Sequence, residues 1–389
     1  MNRYYYDFRD IFKAPRLALH GKNIQLQMMN FIVGYIGYVI LAYLAVITDG
    51  VNFSFAWEVH SIYPIGTLGL VSFWGRVIWL IGVVWFVVWM LRGSLAVSKC
   101  AFEEIRGNLF FSSGEARRFV KEKKRVLIRA FAGVIGFIVF MAVLGLIAGL
   151  IGKIPVVGEI IFGLFYGFPY YVLALFTVLI MFLLVTFFLT GPAVVGVKGE
   201  DTLTALFDGF SSVTSRPLRW TIFTASSLVI AKICSFVLVY FSYRAFQFIN
   251  YTTGVFMGDK GKVIFESACD KMPMSSPLVK FLSYLYPGSD FGINMYALGA
   301  FHQSSTIGDI SAYLVMIGLS LVLLFVIVYF VNTLVVGQVI AFIDIRKQTH
   351  NECLAELPEH DLFDDFKIEK DREAEEETER EEGTEPNSQ

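Results

Sequence analysis

Six apolar stretches, each long enough to cross a bilayer, constrain this chain more than any other feature. They run over residues 28–48, 68–91, 128–151, 169–190, 220–243 and 316–342. In hydrocarbon a backbone amide or carbonyl finds no water, so a crossing segment must satisfy its own hydrogen bonds as a helix of roughly 20 mainly apolar residues. Composition agrees: 56% of the 389 residues are hydrophobic and only 17% are charged, against about 25% charged in a soluble domain. The expected fold is all-α, a polytopic six-helix transmembrane bundle over residues 1–350, followed by a tail over 351–389. The first stretch is too long for a signal-peptide core. Asp7 and Asp10 precede it and no small-residue cleavage site follows, so it reads as a retained span.

Lys and Arg are held on the cytoplasmic side of a membrane, which orients the bundle. Arg3, Arg9, Lys13, Arg16 and Lys22 precede the first span, whereas residues 49–67 carry no Lys or Arg. Ten basic residues lie from Arg92 to Arg129, only Lys153 falls in 152–168, and Lys198, Arg216 and Arg219 fall in 191–219. Both termini are expected inside, in the cytoplasmic membrane of a bacterium or archaeon. That topology places Cys100 and Cys353 inside, Cys234 in a span and Cys269 alone outside, so no external intramolecular disulfide is available.

The chain repeats itself in outline. LRGSLAVS (91–98), LTGPAVVG (189–196) and VVGQVIAF (335–342) put Gly93, Gly191 with Pro192, and Gly337 where each even-numbered span reaches the inner side. Glycine there permits either close helix approach or a helix-ending turn. Amphipathic segments precede the odd spans at 7–19, 112–130 and 200–220; Leu203, Leu206, Phe207 and Phe210 show the helical spacing of an interfacial helix. Tyr63-Pro64, Ile154-Pro155 and Tyr286-Pro287 mark the outer connections. The pattern suggests an internal repeat of three hairpins with cytoplasmic interfacial helices, related by an axis along the membrane normal. Residues 155–168 fit either a kinked extension of the fourth span or a short re-entrant helix. Gly145-xxx-Gly149 and Gly163-xxx-Gly167 are expected to let the third and fourth spans pack closely. Residues 244–310 are the one long external loop, with a helix expected over 276–288 resting on the outer surface or on the bundle.

Residues 358–389 carry fourteen acids against four Lys or Arg. Such a composition is that of a disordered acidic tail, either simply solvated or docking on basic inner loops or on a protein partner.

Few residues suggest chemistry. Lys232 sits at the middle of the fifth span, where an ionised group costs at least about 2.5–3.5 kcal/mol unless it finds a partner or water. Candidate partners are Glu159, an anionic substrate or a lipid headgroup; otherwise the lysine bonds carbonyls or snorkels. Arg76 lies about eight residues inside the outer end of the second span and can reach the headgroups. Asn332 and Gln338 suit interhelical bonding. His20, His60, His302, His350 and His360 are scattered without metal-ligand spacing, and no GxGxxG, Walker loop, GxSxG or CxxC occurs. No metal, cofactor or catalytic residue is expected. The basic run 117–125 suits anionic lipid better than nucleic acid because it adjoins a span.

Over 187–217 an apolar span, then Gly191-Pro192-Ala193-Val194-Val195, Glu200-Asp201, Ala205 and Arg216-Pro217, resembles a group of poorly characterised bacterial polytopic membrane proteins. These are similar to the membrane domain attached to some glycerophosphodiester phosphodiesterases. Such enzymes carry their activity on a separate barrel of about 250 residues. The longest non-membrane stretch here is 244–310, so the resemblance implies a membrane part without hydrolase activity. A six-span layout also resembles mitochondrial-type carriers, but their proline signature ends odd spans, and Pro192 follows an even one. The leading expectation is a non-enzymatic multi-pass protein that organises lipid or partner proteins. The competing one is a small transporter of an anionic or amphiphilic solute, with Lys232 as its counter-charge.

Overall fold

A computed structural model of the chain describes residues 4–64, 69–272, 282–286 and 306–356. Every regular element among the described residues is helical, and six helices are long and apolar enough to cross a membrane. A 3-10 turn at Phe8–Lys13 leads into α1 (Ala14–Ala18), α2 (Gly21–Thr48) and the short α3 (Phe53–His60). Then come α4 (Phe73–Arg106), α5 (Ser113–Gly152), α6 (Val157–Phe165) and α7 (Tyr171–Lys198). The chain continues through α8 (Thr202–Ser215), α9 (Pro217–Met257), α10 (Asp259–Asp270) and α11 (Thr306–His350). Acidic residues 358–389 and the start of the helix expected over 276–288 lie outside the described residues.

The helices run far past the apolar stretches. At 1.5 Å per residue, the 40 residues of α5 extend about 60 Å, twice the ~30 Å hydrocarbon core. One expected interfacial helix therefore does not exist as a separate element. Ser112 and Glu115 form a reciprocal cap, Glu115 N–H to Ser112 Oγ at 3.2 Å and Ser112 N–H to Glu115 Oε2 at 2.6 Å. From that cap α5 runs unbroken into its apolar stretch, with no proline before Gly152. The other two approaches are separate: α1 breaks from α2 at His20 (ψ 132°), and α8 from α9 at Arg216 (φ −141°, ψ 67°). On the outer side, 244–310 is not a loop throughout, because α9 extends to Met257 and α10 folds back against α11.

The repeated glycines do not end helices. Gly93, Gly191 and Gly337 all lie in helix interiors, and Pro192 is accommodated inside α7. The turns come later, at Gly107 (φ 98°) and Gly199 (φ 64°), where a left-handed residue is needed. What the interior glycines provide is close approach. A Cβ on Gly337 would stand 2.7 Å from Ser227 Cβ of α9, one on Gly93 2.9 Å from Gln27 Cδ of α2, and one on Gly196 2.6 Å from Ser98 Cβ of α4. Gly191 instead makes room for the Phe187 ring, which also fills the hollow over Gly209 of α8.

These contacts build a core at the end of the bundle where both described termini lie, termed the inner end. α4, α7 and α11 touch one another there, and each is buried along a run: Leu95–Ser98, Thr190–Val197 and Val335–Arg346. Around them, α2 lies along α4, α5 along α7 and α9 along α11. The outer half is uneven. Four tyrosines stabilise the first hairpin: Tyr35 and Tyr38 hydroxyls donate to the Ile62 and Pro64 carbonyls at 2.7 and 2.6 Å, Tyr43 donates to Ser61, and Tyr63 meets Ser320 of α11 at 2.6 Å. Asp49 accepts the Val71 and Ser72 amides, both at 2.7 Å, which holds its carboxyl below the usual range. In contrast, from Ile135 to Val185 only Gly158 is buried.

This second hairpin corrects one expectation and resolves another. Nothing lies within 4 Å of a Cβ at Gly145, Gly149, Gly163 or Gly167, so these glycines do not mediate close packing. The Phe162 and Tyr166 rings stand between the helices and leave an apolar groove of about 280 Å³. Residues 157–165 form α6, continuous with α7 through a π-helical turn at Tyr166–Tyr170 that contains Pro169, as a kinked extension requires. Gly337→Leu should destabilise the protein by about 1–3 kcal/mol through overpacking, read as a lower melting temperature in detergent, while Gly145→Leu leaves it unchanged.

Candidate functional site

The inner ends of α4, α7 and α11 carry cations turned into the packed core. Lys198 Nζ lies 2.8 Å from Asp208, 3.6 Å from Glu200 and 3.7 Å from Glu352. Arg346, only 6% exposed, pairs with the same Asp208 at 3.2 Å and with both Glu352 oxygens at 3.1 and 3.2 Å. Lys99 pairs with Glu103 at 2.6 Å and stands over the Phe102 and Phe119 rings. Glu104 takes Lys22 at 3.1 Å and His20 at 2.6 Å. Next to this network the chain's two described ends meet. The Ala355 amide donates to the Tyr6 hydroxyl at 3.2 Å, and burial pushes that phenol up to about 12. Each of these carboxylates is engaged by a cation, so the arrangement can lock helix ends together.

Two cationic features face outward from this core. Along the first turns of α5, Arg117, Arg118, Lys121, Arg125 and Arg129 are exposed, and the one carboxylate pairing among them is Arg118 with Glu122 at 3.6 Å. The same helix continues directly into exposed Ile135 and Val139. At the start of α9, Arg219 binds the buried Asp344 at 3.1 Å, and Arg216 bonds the side chain and the carbonyl of Gln348 at 3.2 and 3.1 Å. There a groove of about 580 Å³ opens beside Phe8.

The residues expected to matter are not brought together. Lys232 Nζ sits 5.0 Å from the centre of the Tyr284 ring, in a cation–π contact, and among the described residues no carboxylate pairs with it. Tyr284 belongs to a helical turn whose Leu282 and Tyr286 pack with Val239 of α9 and Val326 of α11. The described part of the expected 276–288 helix thus reaches down the bundle to the level of Lys232. Glu159 is exposed on α6, which packs against α5, so it is not the partner of Lys232. Arg76 lies in the first turn of α4, its Nε–H donating to Leu70 O at 3.1 Å. It is not eight residues deep, because Asp49 binds the amides just before Phe73 and the helix starts later than hydropathy suggests. Gln338 does link helices, donating to Thr224 Oγ1 at 3.1 Å. Asn332 is fully buried, and among the described residues neither of its amide atoms finds a hydrogen-bond partner.

Sequence reasoning missed Lys198, Asp208, Asp344, Arg346 and Glu352. One signal was present, the Asp344 and Arg346 charges interrupting the apolar run after Gly337. Among the described residues no three His, Cys, Asp or Glu side chains gather as a metal site. No family model, curated protein or solved structure matches the chain. Replacing Arg346 with Met leaves Asp208 and Glu352 short of a buried partner and should destabilise by about 3 kcal/mol. Arg118→Met breaks a pair whose side chains are 85% and 62% exposed, and should not move the melting temperature measurably.

Proposed function

We propose that this protein organises anionic lipid and partner proteins at the inner face of a membrane, without a catalytic step of its own. The observation that carries this reading is the exposed cationic row on α5, joined without a break to a lipid-exposed apolar helix. Anionic headgroups gather at such a row because each basic residue near the surface contributes about 1 kcal/mol, while the apolar continuation holds the row at headgroup depth. The inner core supports the same role, since ion pairs hold the platform rigid beneath the row. The Lys and Arg asymmetry supports cytoplasmic termini in a bacterial or archaeal membrane. Of the three matching glycines, Gly93 and Gly337 make close helix approaches, which supports a repeat between the first and third hairpins, while Gly191 meets only Phe187 of its own helix. Acidic residues 358–389 supply a second arm for a protein partner. Kinship with the membrane domain of glycerophosphodiester phosphodiesterases fits this reading and brings no hydrolase activity with it.

Native mass spectrometry of the protein extracted from anionic vesicles tests the proposal. Wild type should retain several phosphatidylglycerol molecules and few phosphatidylcholines. The combined change Arg118→Gln, Lys121→Gln, Arg125→Gln and Arg129→Gln should remove most of that excess, and equal retention would refute the role of the row.

A second reading is favoured by the Lys232–Tyr284 contact: an intramembrane cation with no carboxylate partner among the described residues, beside a turn packed between α9 and α11, suits transport of an anionic amphiphile. In proteoliposomes, Lys232→Met should then abolish uptake of a fluorescent fatty-acid carboxylate while the melting temperature holds. Uptake unchanged by the substitution would remove the transport reading.

A further inference from the structure

We infer that the groove between Phe8 and the first two turns of α9 binds one monoanionic phospholipid, its phosphate on Arg216 and Arg219 and an acyl chain along Leu218 and Ile222. This names a discrete lipid site and rests on the reading that the inner end of the bundle meets anionic lipid.

The polar end of the groove has spare donors. A guanidinium offers five N–H groups. Arg216 uses two of them, both on Gln348. Arg219 uses three, on Asp344 through Nε and one terminal nitrogen and on Gln348 through the other. Several N–H groups on two adjacent guanidiniums therefore remain for a ligand, and a phosphate is the acceptor whose oxygens match such a fork. Both arginines are already held in place by Gln348 and Asp344, so little side-chain entropy is lost on binding.

Charge selects the class of anion. Arg219 is neutralised by Asp344, and Arg216 has no carboxylate partner among the described residues. Two other acids lie near: Asp10 pairs with Lys13 at 2.6 Å, whereas Asp7 accepts only the neutral Phe8 amide at 2.7 Å and keeps its charge. That nearby negative charge disfavours a multiply charged anion, so the Arg216 guanidinium suits a phosphodiester carrying one negative charge.

The rest of the groove is apolar and firm. Leu218 is 80% and Ile222 55% exposed, and they line it with Phe223, whose ring meets Phe8 edge to face at 5.6 Å. Arg216 caps α9 and Arg219 is its last charged residue before the apolar run 220–231, so a headgroup there places its chains directly against the apolar part of the helix. A soluble phosphate would leave that apolar lining wet. Lipid covers it.

The full-length protein is delipidated in detergent and titrated with phosphatidylglycerol, phosphatidylcholine or glycerol 3-phosphate, with adducts read by native mass spectrometry. One phosphatidylglycerol should bind more tightly than the rest. Arg216→Gln, which leaves the Arg219–Asp344 pair intact, should weaken that adduct about tenfold, the equivalent of ~1.4 kcal/mol. Ile222→Trp, which fills the groove without touching charge, should weaken it similarly, and Arg216→Lys should restore part of the loss. The α5 glutamine variant should strip the weaker adducts and spare this one. The site is refuted if Arg216→Gln and Ile222→Trp, folded by melting temperature, both bind like wild type. It is equally refuted if phosphatidylcholine or glycerol 3-phosphate binds as well as phosphatidylglycerol. Loss of every adduct in the α5 variant alone would leave the general lipid role standing and this site without support.

Discussion

Close backbone approach at the inner ends of α4, α7 and α11 is the contact on which the remainder of the bundle depends. Hydrocarbon offers helices no hydrophobic drive to associate, because lipid tails are as apolar as leucine, so van der Waals fit must supply the attraction. Small residues make that fit possible here: Gly196 against Ser98 joins α7 to α4, and Gly337 against Ser227 joins α11 to α9. Where such contacts are missing, the helices separate. The outer half of the α5–α7 hairpin has open glycines and, from Ile135 to Val185, a single buried residue, Gly158.

Charge burial follows from that packing. Once three helix ends converge, the cations that terminate apolar spans are drawn inward, and Arg346 and Lys198 need carboxylates at close range. Asp208 on α8 and Glu352 beyond α11 meet the need. The result ties α7, α8, α11 and the segment just after α11 into one unit. The basic row of α5, where the described pairing is Arg118 with Glu122, and Arg216 are left on the outside of the same unit.

Much of the architecture was legible in the chain. All six spans, the separate α8 and the importance of Gly93 and Gly337 follow from apolar run length, amphipathic spacing and recurrence. Helix ends were less legible, because backbone bonding continues past the apolar boundary until a left-handed residue such as Gly107 or Gly199 stops it. Glu159 was offered as a partner of Lys232 because both were charges in apolar surroundings, whereas hairpin geometry places them apart. Tyr284 was invisible as a partner, since nothing local in its segment says that it inserts beside α9.

The sequence by itself determined that the chain has six segments long and apolar enough to cross a membrane and how its basic residues divide among the short connections. Those properties add up residue by residue from transfer free energy and charge, so no partner needs to be known. Only the tertiary structure decided that glycines serve approach and not termination, that Asp208 and Glu352 share Lys198 and Arg346, and that Arg216 and Arg219 edge a groove with Phe8. Each depends on contacts between residues from 66 to more than 200 positions apart, and no local pattern encodes such a distance.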